Sequence, residues 1–136
     1  MKLHGSGSVA WAKFRTPSRD GLRRLASLAE LRAEIARRPL VTHQEKASNL
    51  KEEIRALADA RQEIRATVDA IASGGLPLCT AAYLSARSED LREAQAGHYR
   101  SLALTEAELV GLKEMAARAR ARANILARLS RKAKQG

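Results

Sequence analysis

Residues 50–77 read LKEEIRALADARQEIRATVDAIASGGLP, and both the pattern and the stop of this stretch bear on the fold. Leu50, Ile54, Leu57, Arg61, Ile64, Val68 and Ile71 recur at alternating steps of four and three. That spacing keeps one apolar stripe of an α-helix turned toward a partner helix along its whole length. Ser73-Gly74-Gly75-Leu76-Pro77 then punctuates the chain. Gly74 and Gly75 suit a left-handed helix end, and Pro77 forbids continuation of the preceding helix.

The same register runs backward through Ala47, His43, Leu40, Ala36, Ala33, Ala29, Ala26 and Leu22. Leu25, Leu28, Leu31 and Ile35 are expected to widen this Ala-rich part of the stripe. Beyond the punctuation, a second seam passes through Leu84, Ser88, Leu91, Gln95, His98, Leu102, Thr105, Leu109, Leu112, Ala116, Ala119, Ala123 and Leu126. The expected second helix covers about residues 81–131 and the first starts near Arg19, with Thr16 or Ser18 as its cap. Each is then ~75 to 80 Å long at 1.5 Å per residue. Two helices of near-equal length joined by a short turn fold back on each other. The fold expected is therefore all-α: a long antiparallel two-helix coiled-coil hairpin over residues 19–134, turning at about 73–80. Residues 1–18 are expected to be disordered or extended, and MKLHGSGS at their start to be a flexible extension or a non-native remnant.

Pro39 stands against an unbroken first helix, because an internal proline removes a hydrogen bond and costs ~3 kcal/mol. Thr42 and Glu45 have capping-box spacing, so a fresh helix could start there. The alternative is a three-helix bundle over 19–37, 42–72 and 81–131. The unbroken seam phase across Pro39 favours a continuous, kinked helix.

Composition agrees with helices and thin seams. Only 3% of the 136 residues are aromatic, too few for a thick core. The single cysteine, Cys79, excludes an intramolecular disulfide, and a buried or idle thiol is expected. No run is long and apolar enough for a membrane span, and no signal peptide is legible. The expected location is cytoplasmic.

Charge is distributed unevenly. Residues 1–38 carry 9 basic and 3 acidic side chains, residues 39–114 carry 9 and 12, and residues 115–136 carry 7 and none. An antiparallel hairpin would bring both basic ends together, opposite a mildly acidic turn. Arg61 and His98 interrupt the seam as polar register devices. Arg61 is expected within reach of Asp90 and Glu93, in an inter-helix ion pair.

Catalytic and metal chemistry have little support. His4, His43 and His98 lie far apart without partners at ligand spacing. GSGS and SGG lack the lysine and flanking strand of a phosphate loop. Glu52–Glu53 and Glu89–Asp90 are adjacent pairs that a helix points apart. No enzyme, cofactor or metal is expected. The C-terminal run RARARANILARLSRKAK (118–134) admits three readings. It is a solvated helix end favoured by the helix dipole, a phosphate contact, or a dock for an acidic protein surface. Nucleic acid is the weaker partner, because no aromatics interleave for base stacking. The protein surface is preferred.

Two stretches, LASLAE (25–30) and LADARQEIRATVDAIASGG (57–75), together with Leu91, Ala94 and His98, carry a family resemblance. Over about residues 25–131 the chain resembles the central stalk proteins of flagellar and virulence type III export ATPases, the FliJ-like and YscO-like family. Departures are Ala60, Ile64 and Arg87 where the family tends to place aromatics, Pro39, and the N-terminal extension. The resemblance implies a non-enzymatic coupling role, flagellar or virulence-related, peripheral to the inner membrane. The terminal end would enter the ring of a hexameric export ATPase through Arg23, Arg24, Arg118, Arg120, Arg122 and Arg128. Leu57, Ala60, Ile64, Arg87, Leu91, Ala94 and His98 would face the export gate protein. Export chaperones are further partners that the resemblance implies; the membrane would be met only indirectly.

Overall fold

The computed structural model describes residues 18–74 and 78–135. The expectations for residues 1–17, including a cap by Thr16, and for Gly75 and Pro77 lie outside the described residues.

Two helices make up the fold: α1, Arg19–Ala72, of 54 residues, and α2, Leu78–Gln135, of 58 residues. They pack against each other antiparallel, as a two-helix hairpin. Helix α2 begins earlier and ends later than its heptad pattern alone defines. The seam marks where a helix needs a partner, not where its backbone bonding ceases. Ser18 caps α1: its Oγ accepts a 3.0 Å hydrogen bond from the Gly21 N–H, satisfying one of the orphan donors at the helix start. At the other end of α1 the Gly74 N–H donates to the Ile71 carbonyl at 3.0 Å, and the Ser73 hydroxyl to the Ala70 carbonyl at 2.9 Å. Gly74 does not take the expected left-handed conformation. A tightened i→i+3 turn ends the helix there instead.

The three-helix alternative is overturned. Helix α1 runs through Pro39 without interruption, and Thr42 and Glu45 lie inside it rather than at a new start. Pro39 is exposed, so the carbonyl it leaves unbonded one turn earlier can turn to water. The seam supplies the counterweight: Ala36, Leu40, His43 and Ala47 stay in phase on either side of the proline, and all are at least half-buried.

The described residues form two compact units. Unit 1 comprises residues 18–40 with 112–135, and unit 2 comprises residues 41–74 with 78–111. In unit 1 the seam is nearly all alanine. Ala29, Ala33 and Ala123 form its buried cluster, with Ala119 and Leu126 partly buried against it. Small side chains let the two backbones approach closely but remove little apolar surface from water. The register is pinned by side chains that bridge the helices. Arg120 donates from Nη1 to Glu30 Oε1 at 2.7 Å and from Nη2 to Glu34 Oε1 at 3.3 Å. Arg19 donates from Nε to the Ala133 carbonyl at 3.0 Å and from Nη2 to the Lys134 carbonyl at 3.4 Å. It thereby serves carbonyls that the C-terminus of α2 leaves without helical partners.

Unit 2 has larger seam residues. Ala47, Ile54, Leu91 and Leu109 are buried, with Leu57, Ile64 and Val68 half-buried beside them. Most of its polar seam positions are paired across or along the helices. Arg61 Nη1 donates to Gln95 Oε1 at 2.9 Å, and buried Thr105 returns its hydroxyl to the Ser101 carbonyl at 2.8 Å. His43 Nε2 lies 2.7 Å from Glu108 Oε2, and His98 Nδ1 lies 3.4 Å from Glu53 Oε2.

Candidate docking surfaces

The expected basic contact residues all lie in unit 1, and the structure separates them by what they touch. Arg23, Arg24, Arg122 and Arg128 are exposed, and among the described residues their side chains make no ion pair or hydrogen bond. Arg118 is exposed and holds Glu114 one turn earlier at 3.8 Å, a surface contact of small energetic weight. Arg120 differs: half-buried, it spends its fork on Glu30 and Glu34 of the opposite helix. The hydrogen bond to Glu30 raises its pKa above the usual arginine value, partial burial works against that, and the charges of Glu30 and Glu34 add to it. Arginine stays protonated in any case, so Arg120 is a fixed cross-helix clamp within the group, not a free contact.

Unit 1 concentrates the charge. Its described residues carry 14 basic and 4 acidic side chains, a net +10, whereas those of unit 2 carry 8 basic and 11 acidic, a net −3. Of the four carboxylates in unit 1, Glu30 and Glu34 are held by Arg120 and Glu114 by Arg118. Most of the cations therefore face solvent uncompensated. On the clamp side an open groove of about 710 Å³ is lined by Arg23, Ala26, Ser27, Glu30, Glu34 and Arg131, among others.

The expected gate-facing residues lie in unit 2, and only some of them reach the surface. Leu91 is buried in the seam at 8% exposure, and Leu57, Ala60 and Ile64 are half-buried along the same line. A heptad position can serve the partner helix or a third molecule, and here the partner helix takes it. Arg87 and Ala94 are exposed, while His98 is half-buried beside Glu53. Arg61 does not pair with Asp90 or Glu93 as expected. The antiparallel register brings Gln95 opposite it, and Arg61 Nε stays buried without a partner.

Sequence reasoning missed the outer apolar face of unit 1. Leu25, Leu28, Leu31 and Ile35 do not widen the seam; all four are exposed, Leu31 at 54%. Ile125, Leu129 and Met115 of α2 are exposed as well. The signal was present in the spacing, since a helix whose seam is filled by alanines has no need of leucines one position away. Cys79 is a free, exposed thiol rather than a buried one. Among the described residues no three His, Cys, Asp or Glu side chains gather as a metal group would require, and no helix is long and apolar enough to cross a membrane.

No family model, curated protein or solved structure matches the chain.

Proposed function

We propose that this chain is a non-enzymatic helical coupling protein, which works by docking its basic unit onto an acidic protein surface. The observation that carries the reading is the net +10 on the described residues of unit 1, spread over exposed arginines and lysines that mostly lack carboxylate partners. Arginine forks left open in this way suit bidentate pairing with carboxylates presented by another chain. The alanine seam behind them holds both helices in fixed register, so the cations are presented on a scaffold rather than on loose chain.

In its specific form the proposal is a central stalk of a flagellar-type protein export apparatus. The partner of unit 1 would be the ring of a hexameric export ATPase, with Arg23, Arg24, Arg118, Arg122 and Arg128 in contact. The surface of unit 2 around Arg87, Ala94 and His98 would meet the export gate protein or an export chaperone. The protein would then work in the cytoplasm at the inner face of the membrane.

The deciding assay measures ATP hydrolysis by a purified hexameric export ATPase with and without this chain. Stimulation is expected from the natural chain and its loss from the triple variant R23E/R24E/R128E, none of whose positions bonds to the opposite helix. Absence of stimulation by the natural chain rejects the stalk reading. A strongly salt-dependent duplex DNA shift at near-physiological ionic strength would favour a nucleic-acid partner in its place.

A further inference from the structure

Each helix of unit 1 carries a second heptad line beside its seam. On α1 the line is Leu25, Leu28, Arg32 and Ile35; on α2 it is Met115, Arg122 and Leu129, which flank the seam residues Ala119 and Leu126. The α1 line advances by threes and fours and the α2 line by whole heptads, spacings that hold a stripe toward a partner helix. On helical geometry both lines fall to the same side of the seam, the side away from Arg120, Glu30 and Glu34. Leu25 and Leu28 are each 44% exposed, Ile35 51%, Leu129 45% and Met115 60%. Two helices thus present parallel apolar lines on one face, and among the described residues neither line has a partner there.

Each line is interrupted by a single cation. The clamp of Arg120 on Glu30 and Glu34 sets Arg32 level with Arg122. Neither makes a side-chain ion pair or hydrogen bond among the described residues. The carboxylates of Glu30 and Glu34 are committed to the opposite side of the seam, and Glu114 to Arg118.

We infer that this face docks a third helix, from a protein partner, which lays an apolar stripe between the two lines and presents a carboxylate to Arg32 and Arg122. Charge selects the occupant. A second copy of this chain would bring another pair of unpaired arginines and another net +10 against the same face. Residues 1–17 offer Lys2, Lys13 and Arg15 and no acidic side chain. A phosphate backbone would use the cations but leave the leucines wet, and an anionic bilayer would do without the paired heptad lines. A helix with leucines at heptad spacing and one Asp or Glu in their midst satisfies both features. The inference does not require that partner to be an export ATPase.

The test uses two synthetic helical peptides of three heptads, with leucine at positions a and d. One carries glutamate and the other lysine at the central a position. Binding to the full chain is read by fluorescence anisotropy at near-physiological salt. The glutamate peptide is expected to bind at least ~10-fold more tightly than the lysine peptide, as about 1.4 kcal/mol of charge discrimination requires. The variant R32E/R122E, of unchanged helicity, should reverse the preference, and L28Q/L129Q should weaken both peptides. Equal binding of the two peptides to the natural chain overturns the inference, whatever the variants do. So does capture of the face by anionic phosphatidylglycerol vesicles or by self-association, if L28Q/L129Q abolishes either while no peptide binds.

Discussion

Arg61 and Gln95 show how one polar pair in a seam can specify alignment at a cost in stability. The bond between them is 2.9 Å, yet Arg61 Nε is buried with no acceptor. Removing one member leaves the other stranded, whereas replacing both removes the unmet bonding along with the bond. Arg61→Leu alone is expected to lower stability by about 1 kcal/mol, because Gln95 then faces an apolar neighbour. Arg61→Leu with Gln95→Leu should instead melt above the natural chain in thermal circular dichroism, with loss of a unique helix register visible as broadened NMR resonances. A double variant that melts lower would mean that the pair contributes net stability. At the start of α1, Ser18→Ala is expected to cost about 1 kcal/mol, because the Gly21 N–H loses its acceptor. Urea unfolding of the two chains side by side measures that difference directly.

At the scale of the helices, two interruptions of ideal helix chemistry sit at solvent-facing positions, while Gly97 of α2 is half-buried. Pro39 is exposed within α1, and Gly111 is exposed within α2 with no atom within 4 Å of where a Cβ would stand. Gly111→Ala should therefore raise stability by about 0.5–1 kcal/mol, since nothing must move to admit the methyl group. Pro39→Ala should raise it by up to about 3 kcal/mol by restoring a helical hydrogen bond. Denaturant midpoints at constant m-value check both. The seams were fully legible in the sequence: every heptad position from Leu22 to Ile71 and from Leu84 to Leu126 is at least half-buried. Periodicity reports burial well because a helix has only one direction in which to find its partner. It reports ends poorly, which is why α2 exceeds its expected span. The alanines that already fill the seam were the one signal separating a widened seam from a second face, and without weighing it Leu25, Leu28 and Ile35 were assigned to the seam of α1. The contact set was legible as charge but not as geometry. Helical phase sets Arg120 on roughly the opposite side of α2 from Arg118 and Arg122, but the run of arginines does not tell which side meets Glu30 and Glu34.

For the molecule as a whole, the balance of charge decides how it answers to its solvent. Attractive cross-helix pairs are few in unit 1, and like charges crowd its described residues to a net +10. Raising sodium chloride shortens the screening length from ~10 Å at 0.1 M to ~3 Å at 1 M, which relieves repulsion more than it weakens those pairs. The melting temperature is expected to rise with salt over that range; a fall would show that the ion pairs outweigh the repulsion. Docking to an acidic partner through the same cations should weaken over the identical range. Stability and binding therefore move in opposite directions with ionic strength.

The alanine seam of unit 1 has a kinetic consequence. A layer two helices deep, closed by methyl groups, leaves the outward half of every helical turn in contact with water, and among the described residues no large side chain is fully buried. Backbone amides there should surrender their protons to deuterium through brief local openings, long before the whole chain unfolds. Arrival of a third helix would turn that exposed half inward, so the slowing of deuterium uptake at residues 25–35 and 115–129 would trace the footprint of whatever binds.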